Sequence, residues 1–326
     1  MIEVQNEMDP NGEVAHFAGA ASLSLNLIII PRASDKVIRE MIDKHLAKTF
    51  ESFDVVEPSL PIIKMPSSSL TGFFSHAGDS FREMAKLWEE KGYVRIVEDP
   101  NVTQVWLNDV LLYDRPTLDW LFAAKPEEQK WKKALFGNPK PSEMGGPSAA
   151  WFFWPRRPRL VEALVGKGLG TERTKTLVFY GKIENKVQEK RRLALDWSTV
   201  CDDYQMVTGD STPYTYTQEE YLVKLSESKY GLCLAGYGKK CHREIECMAL
   251  GTVPIVAADV DMDSYANPPI EGVHYFRCPS PEDAKKVIDT TTPEAWQTMS
   301  EACKVWWSKN ASVEGSWLLT KKLIAC

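Results

Sequence analysis

Residues 228–256 read SKYGLCLAGYGKKCHREIECMALGTVPIV, and the fold class follows from this stretch. The apolar run Tyr230–Leu234 predicts a buried strand, and the glycines after it predict a loop. Residues 239–250 then predict a helix that ends at Gly251, ahead of a second apolar run through Pro254. A strand, a glycine loop, a helix and another strand in this order are typical of a parallel α/β sheet.

The same alternation of strand and helix recurs along the rest of the chain. Ser80 and Glu83 have the spacing of a capping box ahead of a helix that ends at Gly92. Further helices are predicted over residues 35–46 and 186–198. The other predicted strands are Asn26–Pro31, Pro61–Pro66, Tyr93–Val97, Gln104–Leu107 and Thr176–Tyr180. The sequence therefore predicts an α/β protein with mostly parallel sheets.

A change of composition places a domain boundary near residue 170. Residues 137–150 concentrate Gly, Pro and Ser, and an aromatic strand candidate, Trp151–Trp154, follows them. Next come the basic segment Pro155–Arg159 and the flexible stretch Gly166–Gly170. We predict one lobe over residues 1–170, which begins with an extended arm, and a second lobe over residues 171–326.

The composition is that of an ordinary globular protein. The chain has 326 residues, 44% hydrophobic, and its net charge of −6 offers no general basic field for a nucleic acid. All seven cysteines lie in the second part of the chain without metal-ligand spacing, and we expect them to be reduced. Ala20–Pro31 is too short for a membrane span and lacks the basic flank of a signal peptide. We therefore expect a cytoplasmic enzyme.

Polar residues of the central stretch suit an anionic ligand. Parallel strands bind ligands at their carboxyl ends, where backbone N–H groups of Gly236, Tyr237 and Gly238 and a helix amino terminus can receive a phosphate. The positive side chains of Arg243 and Lys239 attract the phosphate further, and the carboxylate of Glu246, one turn deeper, can accept hydrogen bonds from ribose hydroxyls. At helical spacing one stripe of the helix carries Lys239, His242, Arg243 and Glu246.

Other interpretations of this stretch remain open or are excluded. Arg243 and Glu246 could form an ordinary solvent-facing ion pair at helical spacing. The loop is not a P-loop, because Tyr237 occupies the lysine position. A dinucleotide fingerprint of the G-x-G-x-x-G kind does not follow the first predicted strand, which removes the main support for an oxidoreductase.

Residues 228–256 resemble the carboxyl-terminal domain of exostosin-like glycosyltransferases, where SKFCLCPxGYG precedes RxxEAxxxGCIPV. The resemblance implies a GT-B fold, in which two Rossmann-like lobes with mostly parallel sheets face a central cleft. It implies that Arg243 meets the donor diphosphate and that Glu246 meets the ribose. Glu271–Phe276 resembles a late strand of GT-B enzymes. The chain departs from the motif at Cys247, where the motif has alanine. Gly238, eight residues before Glu246, stands where retaining enzymes with an E-x7-E pattern have an acidic residue, which argues against a retaining mechanism of that kind.

Weaker candidates complete the predicted site. Lys182 and Lys186 follow the first strand of the second lobe, where related enzymes place a basic residue near the diphosphate, although they could be solvated charges. Tyr214 and Tyr216 could flank the base or simply pack. Arg156 and Arg157 could reach the donor across the cleft. Candidate bases of the first lobe are Asp79, His76 and Asp114, with a helix cap as the alternative for Asp79 and a buried pair with Arg115 as that for Asp114.

Together these features predict a metal-independent, inverting glycosyltransferase without a cofactor. Its partners would be a UDP- or GDP-sugar, carrying a hexose or a pentose, and a hydroxyl of an oligosaccharide or glycoprotein glycan. Neither a nucleic acid nor a membrane span is expected. Asp261 and Asp263 form an Asp-x-Asp triplet, which we interpret as structural because it follows a strand of the second lobe. The alternative is a catalytically inactive GT-B homologue that binds a nucleotide or a glycan.

Overall fold

The computed structural model describes residues 60–68, 76–113, 154–169, 172–209, 211–236, 239–263 and 265–324. The amino-terminal arm, the strand and helix predicted over residues 26–46, the segment 137–150 and most of Trp151–Trp154 lie outside these ranges. All the helices and strands below belong to one compact unit, Pro61–Cys326. The boundary near residue 170 stays a prediction.

Four strands form a small mixed sheet in the order β2-β1-β3-β4. β1 is parallel to β2, whereas β3 and β4 are antiparallel neighbours. β3 and β4 are joined by a two-residue turn, in which Asn108 has a positive φ of 51°. The strands are β1 (Ile62–Met65), β2 (Arg95–Glu98), β3 (Val105–Leu107) and β4 (Val110–Tyr113).

Helix α1 (His76–Glu90) connects β1 to β2. The helix begins at His76, so Ser80 and Glu83 lie inside it and the predicted capping box is wrong. The reason is tertiary, because the Ser80 hydroxyl donates to the carbonyl of Arg156 (3.2 Å) instead of capping its own helix. The predicted end is confirmed, since Gly92 has φ 72° and donates to the carbonyl of Glu89.

Five parallel strands form the second sheet, in the order β6-β5-β7-β8-β9. They are β5 (Lys175–Ile183), β6 (Asp203–Thr208), β7 (Ser228–Cys233), β8 (Val253–Val256) and β9 (Phe276–Arg277). The chain steps outward from β5 to β6 and then crosses back to β7, so the strand order reverses between β5 and β7. The predicted α/β class with mostly parallel sheets is confirmed.

The remaining helices surround the sheets and differ from the predictions at their ends. The helix predicted over residues 186–198 stops at Arg192, and Trp197–Thr199 forms a short 3₁₀ turn. The helix predicted from residue 239 begins at His242, and of Glu271–Phe276 only the last residue is in β9. The helices are α2 (Pro158–Gly166), α3 (Lys186–Arg192), α4 (Gln218–Ser226), α5 (His242–Leu250), α6 (Pro281–Thr290), α7 (Pro293–Asn310) and α8 (Val313–Ile324). Among these described helices, none combines the length and apolarity that a bilayer span requires.

Each sheet has its own hydrophobic core, and α8 belongs to the core of the first sheet. Trp317 packs there against Trp88, with ring centroids 5.4 Å apart, although α7 before it packs on the second sheet. The indole N–H of Trp88 donates to the carbonyl of Val313 at 2.9 Å. Helix α8 therefore completes the core formed by the first sheet and α1.

The centre of the second core is packed so closely that a side chain at Gly231 would displace its neighbours. A Cβ atom at this position would lie 2.5 Å from Sγ of Cys247 and 3.1 Å from Cδ1 of Leu225. The exostosin-like motif has a cysteine at the position of Gly231 and an alanine at that of Cys247, so this chain carries the larger side chain on the helix instead of on the strand. The departure at Cys247 is thus explained by packing.

We expect Gly231→Ala to lower the free energy of unfolding by about 1–3 kcal/mol, because the added methyl group meets Cys247. Cys247→Ala in the same chain should restore part of the loss, since it removes the atom that is met. The measurement is urea unfolding followed by circular dichroism. Gly166→Ala is the control, because nothing lies within 4 Å of its Cβ position. Equal stability of Gly231→Ala and Gly166→Ala would contradict the packing argument.

Candidate functional site

The two central strands of the second sheet separate before they end. β5 and β7 are paired only as far as Val178 and Gly231. Beyond that point β5 continues along β6 to Ile183, and β7 continues along β8 to Cys233. The opening lies at the carboxyl ends of parallel strands, where the strand order reverses, and this is the position at which open α/β sheets bind ligands.

Two arginine side chains fill this opening. Arg192, at the end of α3, donates from Nε to the carbonyl of Ala235 (3.3 Å) and from Nη1 to that of Lys182. Arg243, in the first turn of α5, donates from Nη2 to the carbonyl of Tyr180. The guanidinium groups thereby supply the hydrogen bonds that these separated backbone carbonyls do not receive from a neighbouring strand.

The opening holds two cationic side chains, and the carboxyl groups of Glu244 and Glu246 lie near enough to interact with the charge of Arg243. Neither guanidinium group forms an ion pair with a carboxylate within the described part of the chain, and Arg243 lies 4.5 Å above the ring of Phe179. Burial lowers the pKa of Arg192, and repulsion by Arg243 adds to the effect. Nε and Nη1 of Arg243 are buried without a hydrogen-bond partner in the described residues. Two buried donors on a cation suit an anionic ligand.

Gly236 allows the loop after β7 to approach these arginines. A Cβ atom there would lie 3.0 Å from Sγ of Cys241 and 3.3 Å from Nη2 of Arg192. The Gly236 carbonyl accepts a hydrogen bond from Nη1 of Arg191 at 3.0 Å. Tyr237 and Gly238 lie outside the described residues, and Lys239 precedes α5. The prediction that this loop meets a phosphate remains untested.

Their stripe on the helix predicts that His242 and Glu246 line an open crevice. In the structure both side chains instead contact backbone groups. Nδ1 of His242 is 2.7 Å from the carbonyl oxygen of Trp154, and Oε1 of Glu246 accepts from the backbone N–H of Arg156 at 3.0 Å. The Glu246 carboxylate also accepts from the hydroxyl of Tyr221 (2.9 Å). Only 2% of Glu246 is exposed, and burial raises the pKa of its carboxyl group. The alternative of a solvent-facing ion pair with Arg243 is therefore wrong.

Lys182, Tyr214 and Arg156 form a second cationic cluster close to the opening. Nζ of Lys182 lies 5.2 Å and Cζ of Arg156 5.8 Å from the ring centroid of Tyr214. Lys182 is buried and lies 3.5 Å from Glu184, whereas the Tyr214 ring is half exposed. The structure thus brings together three residues that the sequence named separately, one of them from the segment between the two sheets.

The other candidates lie in different surroundings. The Lys186 side chain is 94% exposed and pairs with Glu189, while Tyr216 packs against Tyr180 and accepts from Gln205. Asp79 is exposed in the first turn of α1, next to Ser80, which contacts Arg156; His76 is the first residue of that helix. Asp114 lies outside the described residues. The first turn of α1 is therefore close to the segment that carries Arg156.

Three residues of the site were not singled out from the sequence, namely Arg192, Tyr221 and Gln218. Arg192 ends a Lys-Arg-Arg run, which as sequence is typical of an exposed helix end. Tyr221 and Gln218, whose amide donates to Glu246 at 3.2 Å, lie on a helix with an ordinary amphipathic pattern. No local signal separates them from surface or core residues.

Two buried ionisable side chains, Lys240 and Glu244, lie beside the site. Nζ of Lys240 is 3.4 Å from the ring centroid of Tyr265, and Oε2 of Glu244 accepts from the backbone N–H of Cys241 at 2.9 Å. Burial lowers the pKa of Lys240 to about 7 and raises the pKa of Glu244 to about 7. Asp261 accepts from the backbone of Asp263 (3.0 Å), which closes a turn within the Asp-x-Asp triplet.

Comparison with known proteins gave partial structural likenesses. No family model and no curated protein matches the chain. The C-terminal domain of a glycosyl transferase group 1 family protein, LpcC, from Francisella tularensis is 11% identical over 48% of this chain and 94% of its own, with a TM-score of 0.30. An alpha1,3-fucosyltransferase is 11% identical over 84% of this chain and 93% of its own, with a TM-score of 0.37. Likenesses of this size carry no conclusion about activity.

The raised pKa of Glu244 predicts a pH-dependent stability. The folded protein holds a proton that the unfolded chain has released, so stability is lost as pH rises from the ordinary carboxyl pKa of 4.5 to about 7. Glu244→Gln has no carboxyl group to titrate and so does not show this loss. The free energy of unfolding of the variant, relative to that of the wild type, should therefore rise by up to about 3 kcal/mol from the lower to the upper end of that window. Lys240 acts in the opposite sense and above this window.

The measurement is urea unfolding of both proteins at several pH values across the window. Glu189→Gln, on the exposed face of α3, serves as the control and should leave the pH profile unchanged. A difference between Glu244→Gln and the wild type that is constant with pH would refute the assignment.

Proposed function

We propose that the chain is a glycosyltransferase of the GT-B class that binds the diphosphate of a nucleotide-sugar at the separated ends of β5 and β7. The observation that carries the proposal is a pair of buried nitrogens on Arg243 at this opening, Nε and Nη1, which have no hydrogen-bond partner among the described residues. A second buried arginine, Arg192, lies beside it. The exostosin-like motif of residues 228–256 leads to the same ligand from the sequence.

Departure of the diphosphate is the step that these residues would assist. Arg243 donates to oxygens that gain negative charge as the glycosidic bond breaks, and the amino terminus of α5 adds its dipole. Lys182 and Arg156 supply further positive charge beside the half-exposed ring of Tyr214, which can stack on the base. This arrangement stabilises the leaving group with the protein's own cations.

The acceptor would be a glycan hydroxyl held on the side of the first sheet. Asp79 and His76 are the candidate bases, because the first turn of α1 lies next to Arg156, and Asp114 remains a third candidate. A base on this side removes the proton while the hydroxyl attacks the sugar from the face opposite the diphosphate, which inverts the anomeric centre. The donor is a UDP- or GDP-sugar in this proposal.

The alternative is a homologue that binds a nucleotide or glycan without turnover. One observation favours it: the Glu246 carboxylate, predicted to hold the ribose, already accepts three hydrogen bonds, from Arg156, Tyr221 and Gln218. A ribose would have to replace one of these donors. Binding at the arginines and catalysis are therefore separate questions, and each has its own test.

Arg243→Met should weaken the binding of UDP or GDP about 10- to 100-fold, because a charge-assisted hydrogen bond contributes about 1.5–3 kcal/mol. Isothermal titration calorimetry measures the affinity, and circular dichroism checks that the variant is folded. Lys186→Met is the matched control, since its side chain is 94% exposed and pairs with Glu189. If Arg243→Met binds the nucleotides as well as the wild type does, the diphosphate is bound elsewhere.

Turnover is tested with a panel of UDP- and GDP-sugars without an acceptor. A transferase should slowly release the nucleoside diphosphate from its own donor, because water can replace the missing hydroxyl, and a coupled assay detects the release. Asp79→Asn and His76→Gln should reduce this release if either residue is the base. Tight binding with no release from any donor, with or without oligosaccharides, would favour the inactive homologue.

A further inference from the structure

The polar stripe of α5 holds a segment of backbone. His242 and Glu246 lie one turn apart on the same side of the helix, as their spacing of four residues requires. His242 meets the carbonyl of Trp154 at 2.7 Å, and Glu246 receives the N–H of Arg156 at 3.0 Å. The two side chains thus contact residues that are two apart in the segment between the sheets.

The Glu246 carboxylate is fixed from its other side. The hydroxyl of Tyr221 donates to Oε2 at 2.9 Å, and the amide of Gln218 donates to Oε1 at 3.2 Å, both from α4. A buried carboxylate with three donors has one stable orientation. The fixed carboxylate therefore also fixes the position of the Arg156 backbone relative to β5 and β7.

The opposite side of the segment is held by the first sheet and α1. Ser80 donates to the carbonyl of Arg156, and the Trp154 ring is buried against Phe81 (5.4 Å) and Trp88 (6.3 Å). Both backbone polar groups of Arg156 are thus bound by side chains of different layers. The guanidinium group, in contrast, reaches the half-exposed ring of Tyr214.

We propose that His242 and Glu246 clasp the backbone of residues 154–156 and so hold the Arg156 guanidinium beside Lys182 and Tyr214, where it binds a phosphate oxygen of the ligand. Glu246 is then a positioning residue that acts through Arg156 and does not contact the ligand. The choice of ligand rests on the proposed function, since a nucleotide diphosphate is the anion assigned to this opening. The clasp itself depends only on the contacts above.

Hydrogen exchange tests the clasp without a ligand. The amide of Arg156 should exchange slowly in the wild-type protein, and Glu246→Gln or His242→Ala should accelerate it at least 10-fold, while amides of β5 and β7 stay protected. Exchange is followed by mass spectrometry on peptides that cover residues 154–158. Equally slow exchange in both folded variants would overturn the clasp. If Glu246→Gln is unfolded, His242→Ala, which leaves the carboxylate in place, decides alone.

Ligand affinity tests the positioning role with a double-variant cycle. Inorganic pyrophosphate and UDP or GDP are titrated into the wild type, Glu246→Gln, Arg156→Ala and the double variant. If Glu246 acts through Arg156, Glu246→Gln should weaken the binding of pyrophosphate and that of the nucleotide by the same factor. We expect about 10-fold, which corresponds to about 1.4 kcal/mol. In the Arg156→Ala chain it should cause no further loss. Glu189→Gln is the matched control and should leave both affinities unchanged.

The outcomes separate the two proposals. If Glu246→Gln weakens only the nucleotides and leaves pyrophosphate unchanged, Glu246 contacts the ribose directly and the positioning role is overturned. If the wild type binds neither pyrophosphate nor a nucleotide, the proposed function fails together with the role of Arg156 in it. The exchange experiment still decides, in that case, whether the clasp exists.

Discussion

The site depends on the separation of β5 from β7. Beyond Val178 and Gly231 the two strands no longer share hydrogen bonds, yet their backbone carbonyls remain buried and need donors. Arginine suits this task, because it carries five N–H groups in a fixed fork at the end of a long side chain. Arg192 and Arg243 satisfy the carbonyls, and in doing so they bring two positive charges into a place that water reaches poorly. An anion is the ligand that such a place favours.

At the amino-terminal ends of the same strands, a third arginine binds backbone carbonyls. Arg173 donates to the carbonyls of Ser226 and Leu250, which end α4 and α5, and to that of Ser228 at the start of β7. A cation at two helix ends complements their dipoles and ties both helices to the sheet. Here the carbonyls take up the guanidinium donors almost completely. The strands are therefore firmly joined to both helices at their amino-terminal ends, where Nε of Arg173 is the one guanidinium nitrogen of this residue without a hydrogen-bond partner among the described residues.

The sequence predicted most of the second sheet, because its strands are short continuous apolar runs separated by glycines. Residues 228–256 show this best, since Gly251 ends α5 and β8 follows as expected. The hairpin of β3 and β4 was missed, although Asn108 and Asp109 between two apolar runs are typical of a two-residue turn. For the candidate site, the structure places Arg243 at the opening between β5 and β7, but the sequence did not predict the partners of Glu246. Those partners come from distant parts of the chain, and helical periodicity carries no information about them.

Trp317 of α8 fills a space in the first core, beside Trp88. During synthesis on the ribosome, Trp88 emerges long before Trp317 does. The aromatic surface of α1 is consequently left without its cover until α8 has emerged, and the nascent chain presents it to solvent or to a chaperone for that interval. A chain that stops before Trp317 would leave this surface open permanently, and such a product is a natural target for proteolytic quality control.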